Sequence, residues 1–115
     1  RHADSADRLD EFARADLGDP VAAFLAGRAA LHARRYDHAI AWLRRAEASP
    51  DVPARMRGSA RLLLGMASDL LGRRPAALAW YGRAEDTDRF RADDAIRLFR
   101  ARPCSADDLP RSSAG

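Results

Sequence analysis

The sequence predicts an all-α chain of about six short helices, paired as antiparallel hairpins, and three observations carry that prediction. Ala, Leu and Arg, all strong helix formers, dominate its 115 residues, while the β-branched residues amount to two Val, two Ile and one Thr. Strands have almost nothing to be built from. Breaks at Asp19-Pro20, Ser49 to Pro53, Gly72 to Pro75 and Pro103 divide the chain into helix-sized pieces. Finally, the stretch AIAWLRRAE from Ala39 to Glu47 returns as ALAWYGRAE from Ala77 to Glu85, 38 residues later.

Each element follows from apolar residues recurring at helical spacing. Leu9, Phe12 and Ala13 give a first helix one face, over about Ser5 to Asp16. A second, about Val21 to Ala33, carries Phe24, Leu25, Gly27 and Leu31; Pro20 suits its first turn and Asp19 its cap. Ile40, Trp42, Leu43 and Ala46 define a third over about Asp37 to Ala48. The fourth and longest, about Pro53 to Leu71, holds Met56, Leu63, Leu64, Ala67 and Leu71. Leu78, Trp80, Tyr81 and Ala84 mark a fifth from about Pro75 to Glu85, and Ile96, Leu98 and Phe99 a sixth from about Arg91 to Ala101. From Pro103 onward, Ser, Pro, Asp and Gly predict a tail.

At the 38-residue offset the identities extend beyond the opening match. Ala22, Leu25, Gly27, Ala29 and Arg35 meet Ala60, Leu63, Gly65, Ala67 and Arg73. Matches spread over two helices and their turn imply a duplicated helical hairpin. A position written twice argues for structure, so Trp42 and Trp80 are expected to pack against neighbouring helices rather than to stack on a ligand.

The spacing within the unit resembles the tetratricopeptide repeat, a helical hairpin of roughly 34 residues. Gly27, Ala39, Leu43 and Ala46 stand at that family's small and large packing positions in one copy, and Gly65, Ala77, Tyr81 and Ala84 in the other. Tyr36 matches an aromatic seen before the second helix, and Gly72 matches the turn glycine; Arg34 and Arg74 replace that glycine and that aromatic in one copy each. The resemblance implies a right-handed superhelical stack: a degenerate half-repeat at residues 1–18, repeats at 19–51 and 52–88, a capping helix at 89–102 and the tail at 103–115. Four residues beyond the family's length are expected near Ser49 to Pro53, as an inserted turn or as an extra turn of the following helix.

On function, the sequence excludes more than it selects. The formal charge of +3 comes from 20 Arg without a single Lys, and Asn and Gln are absent too, a bias that GC-rich coding produces. The arginines therefore read first as a solubilising default, and nucleic acid is not the first partner expected. No apolar run approaches the roughly 20 residues that span a bilayer. Cys104, the single cysteine, fits a reducing compartment, and the expectation is a cytoplasmic segment of a larger bacterial protein. His32 and His38 lie six apart across a turn, not at the spacing of three or four that one helix uses for a metal, and phosphate-binding glycine loops are missing. Neither a cofactor, a metal nor a catalytic set is expected, and the chain is not read as an enzyme.

In tetratricopeptide stacks the first helix of each hairpin lines a concave groove that holds partner peptides or helices. Carried over, the resemblance assigns that lining to Val21, Phe24, Arg28, Leu31 and His32, to Ser59, Leu62, Met66, Asp69 and Leu70, and to Arg97 and Arg100 of the closing helix. It implies a scaffold or adaptor that binds a protein or peptide partner, with self-association open because helical stacks leave uncovered ends. The alternative is a nucleic-acid-associated or regulatory module in which Arg28, Arg97 and Arg100 meet phosphates.

Overall fold

The computed structural model describes residues 6–9 and 18–110. It is all-helical: α1 (Pro20–His32), α2 (Tyr36–Ala48), α3 (Ala54–Leu70), α4 (Arg74–Glu85), α5 (Asp93–Ala101) and a 3-10 turn (Ala106–Asp108), with no strand among the described residues. Residues 6–9 are helical too; the rest of the first expected helix, with Phe12 and Ala13, lies outside the described residues. Each helix packs on its successor, most closely within the pairs α1/α2 and α3/α4, and α1 also touches α3.

Local chemistry sets the helix starts. Asp19 caps α1, its Oδ1 accepting the Val21 N–H at 2.9 Å, and Pro20 occupies the first turn, where a missing N–H costs nothing. Pro53 stands at the start of α3 and Pro75 in the first turn of α4. Two turns join the hairpins with one geometry. At the end of α1 the Arg34 N–H donates to Leu31 O at 3.0 Å and the Arg35 N–H to Ala30 O at 2.8 Å. At the end of α3 the Gly72 N–H donates to Asp69 O at 2.9 Å and the Arg73 N–H to Ser68 O at 2.8 Å. This is the glycine-type helix stop, which needs a left-handed residue. Gly72 supplies it at φ 74°, and Arg34 takes it at φ 65°, with no glycine to ease the strain.

Within each hairpin a glycine lets a large side chain reach the opposite backbone. A Cβ on Gly27 would stand 2.6 Å from Cγ of Leu43, and one on Gly65 would stand 2.3 Å from Cε1 of Tyr81. Ala39, Ala46, Ala77 and Ala84 are fully buried around those two knobs. Such close helix crossings need small residues at the contact. Trp42 and Trp80 both pack on the main core, and Arg45 and Arg83, three residues on, lie 5.0 and 4.5 Å from their ring centres.

The second hairpin begins with a longer helix than the first, α3 against α1. The longer helix has 17 residues against 13, and its first turn brings Arg57 to the end of α2, where it donates to the carbonyls of Glu47 and Ser49. Residues 103–110, expected as part of a tail, instead fold back on the helices. Cys104 and Leu109 are each only 3% exposed, and Leu109 joins the core built from α1, α2 and α3. Two buried side chains suffice because the backbone between them is held by specific hydrogen bonds.

Candidate functional site

The residues assigned to the groove fall into three environments. Val21, at 40% exposure, and Arg28, Arg97 and Arg100 face solvent. His32, Ser59, Leu62, Met66 and Leu70 are half-buried. Phe24 and Leu31, at 7% and 0% exposure, belong to the main core, and Asp69 is buried. The structure thus brings Leu62, Met66 and Leu70 of α3 together against a second apolar cluster, formed by Tyr81, Ile96, Phe99 and Cys104 among others. Arg28 stacks over the Phe24 ring at 5.7 Å.

Asp69 is the most connected of these residues. Its Oδ2 accepts the Tyr81 hydroxyl at 2.6 Å, the Cys104 backbone N–H at 3.0 Å and Arg74 Nη1 at 2.9 Å. Arg74 in turn donates to Phe99 O at 2.7 Å and Arg100 O at 2.9 Å, satisfying the last carbonyls of α5. One buried carboxylate therefore ties α3, α4, α5 and the segment after α5 into one unit. A buried charge is tolerable only with such complete pairing. Burial, and then the bond to Asp69, pushes the Tyr81 phenol far above its ordinary value, so it stays a neutral donor.

The segment from Arg102 to Leu109 makes its own clasp. Arg102 donates two parallel bonds to Asp108, Nη1 to Oδ2 and Nη2 to Oδ1, each 2.8 Å long. Asp108 Oδ2 also accepts the Ser105 N–H at 2.8 Å, completing a capping box on the 3-10 turn. The Arg102 bonds, followed by the Ser105 N–H, hold the Asp108 carboxyl well below the usual carboxylate range. A depressed carboxylate stabilises the closed form fully above the ordinary value near pH 4, and that contribution fades as pH falls through the depressed one. Burial, helped by Asp108 and Asp69, pushes the Cys104 thiol up to about 12, so it offers no thiolate near neutral pH.

A second buried carboxylate, Glu47 at the end of α2, joins the two hairpins. Its Oε1 accepts Arg61 Nε at 3.0 Å and Arg83 Nη2 at 2.7 Å. Arg61 also donates to Thr87 Oγ1 at 2.8 Å, and Thr87 donates to Arg83 O at 2.7 Å. Glu85, its repeat equivalent, is exposed and lies 3.6 Å from Arg100. Glu85 and Asp93 line a shallow surface pocket with Arg97 and Arg100, so two of the three arginines of the nucleic-acid reading face carboxylates.

Sequence reasoning placed neither Glu47 nor the role of residues 103–110. The repeat offered a signal for Asp69: it aligns with Leu31, and a carboxylate at the position of a fully buried leucine marks a buried, partnered charge. Among the described residues no group of three or more His, Cys, Asp or Glu side chains could hold a metal ion, and no helix is long and apolar enough to cross a membrane. Comparison of the chain with family models, with curated proteins and with solved structures gives no match.

Proposed function

We propose that the chain is a protein-interaction module, a short tetratricopeptide-like stack of hairpins that binds a partner peptide, helix or domain on the face formed by α1 and α3. One observation carries this reading. The first helices of both hairpins keep apolar and polar side chains partly open, Val21, Ser59, Leu62 and Met66, and a short segment built around a 3-10 turn is already seated against α3 through Asp69. A main-chain N–H on a buried carboxylate and a leucine in an apolar seat are contacts that a peptide can make. The larger parent, bacterial and cytoplasmic, belongs to the same proposal.

Phosphate binding is the weaker reading. Arg28 is stacked on Phe24 and Arg100 is paired with Glu85, so neither presents a bare guanidinium. The interaction reading is tested by capture of partners with a Val21→Glu/Ser59→Glu double variant, which alters the open part of the face and leaves the core alone. Specific partners should be lost, and should persist with Arg44→Glu on α2. Their survival on the folded double variant would overturn the reading.

A further inference from the structure

Residues 103–110 carry few large apolar side chains, yet their placement is specific. Three devices hold them: the Cys104 N–H on Asp69, the Leu109 side chain in the main core, and the Arg102–Asp108 clasp. The clasp is partly open to water, with Arg102 about half exposed, so it contributes little on its own. The element before it, α5, is the shortest of the five α-helices Pro20–Ala101, nine residues, and packs on α4 far less extensively than α3 does. Elements with few buried contacts open first. Meanwhile the residue that Cys104 contacts is not inert. Asp69 lies on α3, on the helix that carries half of the proposed binding face, and Cys104 belongs to the apolar cluster against which Leu62, Met66 and Leu70 of that helix pack.

We propose that residues 103–110 are a resident occupant of that face, and that the partner is a peptide segment of the same chemistry that displaces it. This rests on the interaction reading above and adds to it both the partner's form and its regulation. The form follows from the seat. A backbone N–H must meet Asp69 Oδ2, and five residues later a leucine, or a side chain of its size, must fill the place of Leu109. A short acid-capped turn joins the two. The resident copy is always at hand, so an incoming segment binds only to the fraction of molecules in which the resident one has opened, and its apparent affinity falls by that fraction.

The test uses the full chain and a fluorescent peptide of residues 102–110, with Cys104→Ser in the peptide to prevent disulfides. Leu109→Ala in the protein loosens the resident segment, and polarisation should then show the peptide binding at least about tenfold more tightly than to the wild-type chain. Asp108→Asn, which opens the clasp without touching the core, should shift affinity the same way and serves if Leu109→Ala does not fold. Asp69→Asn should abolish the gain. Equal affinity for wild type and both variants, or no saturable binding to any of them, would overturn the proposal. So would a concentration-dependent dimer of the wild-type chain in light scattering, which would assign the face to a second copy. If partners captured through Val21 and Ser59 bind wild type and Leu109→Ala alike, the resident-occupant proposal fails while the interaction reading stands.

Discussion

The two hairpins share a backbone and differ in what they bury. Both end their first helix with the same pair of hydrogen bonds, both press a large knob onto a glycine, and both set a tryptophan under an arginine. Yet where α1 places Leu31 and α2 places Leu43, α3 and α4 place Asp69 and Tyr81. The first pair is wholly apolar; the second exchanges a hydrogen bond. Where the second copy has Gly72, the first has Arg34 in the same left-handed conformation. And where Glu47 is buried under two arginine side chains, Glu85 lies in the open. A duplicated frame has thus been given one copy that packs and one that carries a polar interior. That interior holds α5 and the start of residues 103–110, while Leu109 near their end reaches the main core.

The comparison can be broken at four points. The largest effect is expected from Asp69→Ala, which strands the Tyr81 hydroxyl, Arg74 and the Cys104 N–H at once. Urea unfolding should show a loss of about 3–5 kcal/mol, and a loss below about 1 kcal/mol would mean that the hub is ornamental. Next come the two glycines. Gly65→Ala should cost about 3 kcal/mol and Gly27→Ala about 2, because the Tyr81 ring is fixed by its bond to Asp69 while the Leu43 side chain can shift, though its backbone nitrogen, 3.1 Å from the added Cβ, cannot. Equal losses would show that the polar bond does not stiffen the second hairpin. Glu47→Ala should cost about 2 kcal/mol and Glu85→Ala less than about 0.5, the first being buried and doubly paired, the second wet. The last comparison includes a gain: Arg34→Gly should raise stability by about 1 kcal/mol by relieving a left-handed arginine, and Gly72→Ala should lower it by a similar amount. If Arg34→Gly destabilises instead, the two turns are not equivalent.

Most of the frame was legible. Asp19-Pro20, Pro53 and Pro75 lie at helix starts, and the apolar spacing places all five described α-helices within about two residues. The glycine and alanine pairs also reveal which helices touch, since small residues matter only where backbones approach. What escaped was set by partners distant in sequence. Glu47 reads as a solvated charge until Arg61 and Arg83 arrive from 14 and 36 residues away. Residues 103–110 carry only Cys104 and Leu109 as buried apolar anchors, too sparse for any periodicity, and their seat depends on one carboxylate 35 residues upstream. Arg34 was visible as a replaced glycine, but only the backbone shows that the turn kept its left-handed residue.

Asp69 of the second hairpin and the main core around Leu109 together hold residues 103–110, firmly enough to be seated and, on the proposal above, loosely enough to be displaced. Hydrogen exchange of the Cys104 amide in the full chain near neutral pH tests this most directly. The prediction is a protected amide that opens at a free energy clearly below that of the α1 to α4 amides, and opens more readily still in Asp108→Asn. An amide that exchanges like an unstructured peptide, or only when the whole chain unfolds, would contradict the account.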